Sequence, residues 1–340
     1  MQVRCVYLDH PTVSELQPIL KEFEAGLNGR GLHETAVSGL TGQDALAFQE
    51  PFPKIESHDA YLCGVLATPT DVEDGRSDFF SIQFIVSEQM AVIVLWGPDE
   101  LARQRAVSLF SKISADGSMT LQGYHQARED PGDVVVRLAR VIMADLQSLV
   151  SGLHSAVQRE LQEIESALFN EHYQSMSAAA GRKYQTISQL KFEILSIESM
   201  IEETQNVFHA IASGRVLIRP PFASGESEMP PFSSDQRIWI EDLLMRARSL
   251  KAQRNGLEEE VRLLYERLES LETRRQTAAQ MRFAAVASIL LLPALIVGFF
   301  GQNFEVNPWS NGNWSWEISA VFLIAIAVIQ FVYFKRKKWL

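Results

Sequence analysis

The chain has 340 residues, a formal net charge of −11 and two cysteines. The length allows two or three domains, and the acidity, concentrated before the last 60 or so residues, gathers cations and repels nucleic acid, so no nucleic-acid partner is expected. Cys5 and Cys63 lie in apolar, strand-like runs with no second Cys or His at a recognised ligand spacing, and read as buried free thiols of a reducing compartment. Residues 1–9 lack the basic start and long apolar core of a secretory signal, so membrane insertion would rest on the C-terminal end.

In chain order, residues 1–128 alternate strands and helices, the pattern of an α/β domain. Runs 3–8, 45–48, 61–67, 79–86 and 91–96 are β-branched or aromatic and bounded by Pro, Gly or Asp. The last two form a predicted hairpin around Ser87-Glu88-Gln89. Stretches 14–27 and 99–113 carry helical spacing, the second with Asp99 as N-cap.

Residues 129–234 change period. A heptad seam through Ile142, Leu146, Leu149, Leu153, Val157, Leu161, Ile164 and Leu168 predicts a helix over 135–169. A second runs through Ile187, Leu190, Ile194, Ile197, Ile201, Thr204, Phe208 and Ile211, with a turn expected over 175–181. Helices joined by so short a connection pack antiparallel, giving a helical hairpin roughly 50 Å long. Pro220, Pro221, Pro230 and Pro231 mark a linker where the chain reverses.

A third seam passes through Ile240, Leu243, Ala247, Leu250, Arg254, Leu257, Val261, Leu264, Leu268, Leu271, Arg275 and Ala278, making 235–282 a stalk helix. It runs unbroken into 283–304, an uncharged stretch long enough to cross a bilayer, so the whole rod would be on the order of 100 Å. After an outer loop, 305–317, a second apolar stretch occupies 318–340 with Gln330 as its one polar interruption before the basic end. Arg274, Arg275 and Arg282 precede the first span and Lys335-Arg336-Lys337-Lys338 follows the second. The hairpin between them holds Glu305 and three tryptophans but no Lys or Arg. Positive charge stays inside, so both termini are expected to be cytoplasmic, as in a multi-pass plasma (inner) membrane protein.

Two spans per chain cannot enclose a polar path, so conduction would need several copies. On the first span Gln280, Phe283, Ala287, Leu291, Ala294 and Gly298 fall on one face at three- and four-residue spacing, a pattern that suits pore lining, with packing helix on helix as the alternative. As a pore lining, Phe283 and Leu291 would constrict by dewetting, while Ala294 and Gly298 would leave room for a hydrated cation.

The long helix, Phe299-Phe300-Gly301-Gln302-Asn303-Phe304-Glu305, the short loop, the second span and the terminal Lys-Arg-Lys-Lys-Trp-Leu resemble the CorA superfamily of two-span GxN cation transporters. The resemblance implies a homopentameric funnel in the bilayer, with the α/β domain at its wide end and the first span lining the pore. Magnesium-type members read Gly-Met-Asn. Gly301-Gln302-Asn303 is similar to members lacking that methionine, such as the ZntB-type zinc transporters, which implies zinc, with cadmium, nickel and cobalt, as cargo.

Repeated by symmetry, the Gly301 carbonyl and the Asn303 amide would form a ring of neutral oxygens around a water-clad ion, with Gln302 contacting the water shell or bracing the loop. Glu305 would concentrate cations at the mouth. Asn307-Pro308-Trp309 stands where magnesium-type relatives often carry a further acid. Regulatory metal sites are open at Glu266 or Glu269 on the acidic stalk, and at His154 with His209 across the helical hairpin, against the simpler reading of solvated helix faces. No phosphate loop or nucleophile constellation appears, and His33-Glu34 lacks the second histidine of a zinc-protease helix, so no enzyme activity is expected. Two further readings stand beside zinc transport: a CorA-like magnesium channel, and a membrane-anchored coiled-coil scaffold or sensor that conducts nothing.

Overall fold

The computed structural model describes residues 3–9, 11–41, 53–69, 79–87, 89–96, 127–169, 177–219, 230–301, 315–337 and 339. It divides into two compact units, Met1–Leu161 with Tyr184–Leu263, and Gln162–Lys183 with Leu264–Leu340.

The first unit holds a sheet of strands β1 (Val3–Asp9), β2 (Lys54–His58), β3 (Tyr61–Pro69), β4 (Phe79–Val86), β5 (Met90–Trp96) and β6 (Ala127–Glu129), in the order β2-β3-β4-β5-β1-β6. Only the β1–β5 pair is parallel among these ladders. On one face Tyr61, Cys63, Ile85, Val92 and Val94 form a core with α1 (Val13–Gly26) and α2 (Glu34–Leu40), through Leu16, Ile19, Phe23 and Leu40. Thr12 begins α1 with a capping box, its backbone N–H and hydroxyl both donating to the Glu15 carboxylate at 2.7 and 2.8 Å. The other face carries Leu62, Leu66, Ile82, Phe84, Ile93 and Leu95, all fully buried, and there Thr68 Oγ1 donates to Asp145 Oδ2 at 3.1 Å. Strands apolar on both sides are what a sheet covered by helices on both faces requires.

The predicted strands at 3–8, 61–67, 79–86 and 91–96 and the helix at 14–27 are present within a residue or two. β2, β6 and α2 were not anticipated, since their sequences are short and polar. The expected strand at 45–48 and helix at 99–113 lie outside the described residues, as does the linker over 220–229.

Three long helices follow: α3 (Pro131–Phe169), α4 (Ser177–Ala212) and α5 (Ser234–Phe300). The start of α3 lies four residues before its expected position: Pro131 suits the first helical turn, and Asp130 Oδ1 accepts the Gly132 N–H at 2.8 Å. Of the turn expected over 175–181, Ser177 to Gly181 is already helical, and 170–176 lie outside the described residues. Ala178, Ala179 and Ala180 are strong helix formers, and Gly181 is tolerated among them.

In the first unit the Arg140 guanidinium lies 4.2 Å over the Trp239 ring, and Gln158 Nε2 donates to Glu260 Oε2 at 3.1 Å, so α3 and α5 run parallel. Gln205 Nε2 donates to the Ala247 carbonyl at 2.9 Å and Lys251 pairs with Glu202 at 3.1 Å, so α4 runs antiparallel to α5. Every member of the α4 seam is buried, Thr204 included. At the start of the bundle Gln236 Nε2 donates to both Asp130 and Asp133 at 2.9 Å, tying the first turns of α3 and α5 together.

Arg254 stands in the α5 seam with 2% exposure. It donates to the Ile194 carbonyl at 3.2 Å and to the carboxylates of Glu198 and Glu258 at 2.8 Å. Arg254→Ala removes these bonds and the packing of the side-chain stem, but leaves behind two carboxylates that reach solvent. A loss of about 1–3 kcal/mol is therefore expected in chemical denaturation of the full chain, below the cost of stranding a buried charge.

Glu193, on α4, has a buried Oε2 with no hydrogen-bond partner, and burial pushes its carboxyl up to about 7 from an ordinary 4.5. The folded chain thus holds this proton where the unfolded chain has lost it. Its contribution is intact below about pH 4.5 and is lost as pH rises through about 7. Glu193→Gln is expected to flatten this segment of the stability profile, leaving the variant more heat-resistant than the parent at pH 8 and little changed at pH 4.5, read by thermal unfolding.

In the second unit Lys183 pairs with Glu163, and Arg267 with Glu165. Leu264, Leu268 and Leu271 are buried; from Glu272 to Ala284 every residue except Ala278 is exposed. The predicted seam therefore ends at Leu271, and Arg275 and Ala278 are not core positions of this chain. The physical reason is length: α3, parallel to α5 and paired through Glu165 and Arg267, ends at Phe169. α5 continues helical through Pro293 to Phe300, 67 residues in all, and α6 (Ser315–Arg336) follows.

Candidate functional site

The last part of α5 and all but the start of α6 are long and apolar enough to cross a membrane, and almost none of either stretch is buried. Gln330, the polar interruption of α6, donates through Nε2 to Ser288 Oγ on α5 at 3.3 Å. An amide and a hydroxyl that would be costly alone in lipid satisfy each other in part this way, and the contact fixes which side of α5 meets α6. Gln330 Oε1 is buried without a hydrogen-bond partner.

Ala285 is fully buried, and Ser288, Ile289, Pro293 and Ile296 are half-buried. At about 100° per residue these five fall on one side of α5. Gln280, Phe283, Ala287, Leu291, Ala294 and Gly298 centre on the opposite side, about half a turn away, and all six are exposed, Phe283 by 77% and Leu291 by 67%. A row running from Gln280 to Gly298 is thus left uncovered within the chain.

Gly301 ends the helix, its N–H donating to the Val297 carbonyl at 2.9 Å. Gln302, Asn303 and Glu305 lie outside the described residues, as does most of the connecting hairpin. At the far end of α6 the Lys335 ammonium lies 5.9 Å from the centre of the Phe331 ring, and Trp339 stacks on Phe334 at 5.5 Å, an aromatic and basic cluster suited to a headgroup region.

Glu266 and Glu269 are exposed on α5, away from the buried Leu264, Leu268 and Leu271. The two histidines do not meet. His154 Nδ1 lies 3.7 Å from Glu260, whereas His209 is one turn beyond Gln205, which contacts Ala247. Thirteen helical residues separate those two points on α5, about 20 Å. The expected pairing assumed a hairpin folding at 178–181, several residues later than the helices allow.

One group sequence reading missed is on the sheet. In the β2–β3 ladder Glu56 faces Cys63 and His58 faces Tyr61. The ligand atoms of Glu56, His58 and Cys63 lie within 4.8 Å of one another, so Cys63 is not isolated from other metal ligands. Burial, and next the Glu56 charge, push the Cys63 thiol up to about 12. The signal was available as a Glu-x-His pair followed by a tight turn and a Cys, but it required recognising 54–58 as a strand.

The family described as CorA-like Mg2+ transporter protein matches residues 33–336, which takes in both candidate spans and most of the sheet. The chain belongs to this family. Within it, a magnesium transport protein CorA of Haemophilus ducreyi is 34% identical over 61 residues, 18% of this chain and 19% of that protein. A cobalt/magnesium transport protein CorA of Thermotoga maritima is 40% identical over 55 residues, 16% of each. The chain spans about a fifth of the length of these curated relatives.

The CorA-like likeness of fold is wider. The CorA magnesium transporter of Methanocaldococcus jannaschii superposes with a TM-score of 0.67 over 99% of this chain and 91% of that one, at 13% identity. The ZntB cytoplasmic domain of Vibrio parahaemolyticus gives 0.53 over 81% of this chain and 90% of that domain, at 9% identity. The sheet, the long helix and the two candidate membrane helices are therefore a CorA-like fold, in a family named for transport rather than catalysis.

Proposed function

We propose that this CorA-family chain is a homopentameric membrane transporter of divalent metal cations, with zinc as its main cargo and cadmium, nickel and cobalt as further ions. The observation that carries the transport reading is the uncovered row on α5 opposite the α6 contact, ending at Gly301-Gln302-Asn303. Copies arranged about an axis would turn this row inward. Phe283 and Leu291 would then form dry constrictions, and Ala294 and Gly298 a wider outer stretch.

The hydrated ion meets carbonyl and amide oxygens from Gly301 and Asn303 of each copy, with Gln302 reaching its water shell and Glu305 drawing cations to the mouth. The exposure of residues 273–284, Ala278 apart, supports oligomerisation, because among the described residues no other helix of the chain buries that part of α5. Basic residues before the first span and after the second support cytoplasmic termini in an inner membrane. The proposed domain limits are 1–128 for the sheet domain, 129–234 for the hairpin and linker, 235–282 for the stalk, then 283–304, 305–317 and 318–340.

The zinc preference rests on the resemblance of Gly301-Gln302-Asn303 to members that lack the methionine, such as the ZntB-type zinc transporters. Magnesium is the second reading, favoured by the magnesium and cobalt/magnesium transport proteins that match at 34% and 40% identity over short stretches. Proteoliposomes loaded with ion-selective fluorophores separate the two. Zinc influx exceeding magnesium influx by about tenfold is expected, and robust magnesium influx without zinc influx would overturn the preference while leaving transport intact.

A further inference from the structure

We infer that Glu56, His58 and Cys63 form a binding site for a zinc-class divalent cation on the sheet, separate from the transport path. The three ligand atoms lie within 4.8 Å of one another, and His58 Nε2 is already 3.6 Å from Glu56 Oε2. A tetrahedral zinc ion bound by sulfur, nitrogen and oxygen sets its ligands about 3.3–3.6 Å apart, so side-chain movement of about an ångström closes the set. No backbone shift is needed, because Glu56 and Cys63 are paired across the ladder and His58 follows two residues on, on the same face.

Two features distinguish this group from a chance meeting of polar side chains. His58 Nε2 is buried and makes no hydrogen bond, although such an atom ordinarily finds a partner. The His58 ring is also held in place by stacking with His33 at 4.9 Å and with Tyr61 at 5.1 Å. A fixed imidazole with an unused nitrogen, beside a carboxylate and a thiol, is a donor set for a borderline-soft ion and is poorly matched to magnesium. Lys54 Nζ lies 3.5 Å from the other Glu56 oxygen, but its side chain is more than half exposed and can turn to solvent when the ion binds. Among the described strands β2 lies at the edge of the sheet, and the Glu56 carboxylate is partly exposed, so the ion has a route in and water can take the fourth position. On binding, the cation takes the place of the thiol proton of Cys63.

The test uses the full chain, purified in detergent with its thiols reduced and titrated with Co2+ as an optical stand-in for Zn2+. We expect a thiolate-to-cobalt charge-transfer band in the near ultraviolet, with the visible bands of a tetrahedral ion. The band should saturate at about one ion per chain, be displaced by equimolar Zn2+ and be unaffected by millimolar Mg2+. Cys63→Ser should abolish it and Cys5→Ser should keep it. Because Cys63 lies in the core, Glu56→Gln and His58→Gln provide better-tolerated changes at partly exposed positions, each weakening the apparent Kd at least tenfold. No band in the parent chain, a band that survives Cys63→Ser, or an unchanged Kd in both edge-strand variants would overturn the site. The readout is absorbance, so a chain that moves no ion still reports on this site.

Discussion

Replacing Asn303 with Leu is expected to lower divalent-cation flux into proteoliposomes by at least about tenfold, with expression and oligomer size unchanged. Leucine keeps the branch at Cγ but has no oxygen acceptor. If the residue faces a symmetry axis, every copy loses its contact to the ion's water shell at once, and an apolar ring takes the place of a polar one. A cation that sheds water reluctantly then has nothing to compensate the partial loss of its shell. Asn307→Leu, in the same loop but outside the Gly301-Gln302-Asn303 signature, serves as the control and should transport near the parent rate. Parent-level flux in Asn303→Leu would favour the non-conducting scaffold, which keeps the helices and the spans but gives this amide no task.

Gly64→Ala is expected to destabilise the sheet by about 3 kcal/mol, among the larger effects a single methyl group can produce. A Cβ at this position would lie 2.4 Å from the Phe84 ring and 2.9 Å from the Lys54 carbonyl oxygen. Phe84 is 1% exposed, and interiors are packed too closely for a ring to give way freely; the carbonyl belongs to the neighbouring strand. The methyl must therefore spread β2, β3 and β4 apart. Hydrogen exchange of the full chain should show amides of these strands losing protection, while the seam of α4 stays protected; unchanged exchange in β3 would contradict this account of Gly64.

Much of the molecule could be read from local pattern. The three heptad seams and the apolar runs of β3 to β5 are short-range signals, because burial repeats every three to four residues in a helix and a strand covered on both faces reads as one apolar run. For α4 the agreement extends to each of its eight seam positions. The errors arose where the decisive contact was distant. The α5 seam was extended to Arg275 and Ala278 because periodicity does not register where the partner helix ends. His154 and His209 were paired because a hairpin register shifts two residues for each one-residue error in its turn. The Glu56, His58 and Cys63 group was overlooked because a polar edge strand has no apolar signature.

The amino-acid order by itself determined the number and type of the long elements, the two apolar stretches, the basic ends and the Gly301-Gln302-Asn303 sequence, since each depends on residues close together in the chain. Tertiary structure decided that α6 meets the side of α5 opposite the row from Gln280 to Gly298, where burial of the seam stops, and which carboxylate and imidazole lie beside Cys63. Those outcomes depend on register between separate elements, and register is set by side chains meeting across a helix interface or a strand ladder.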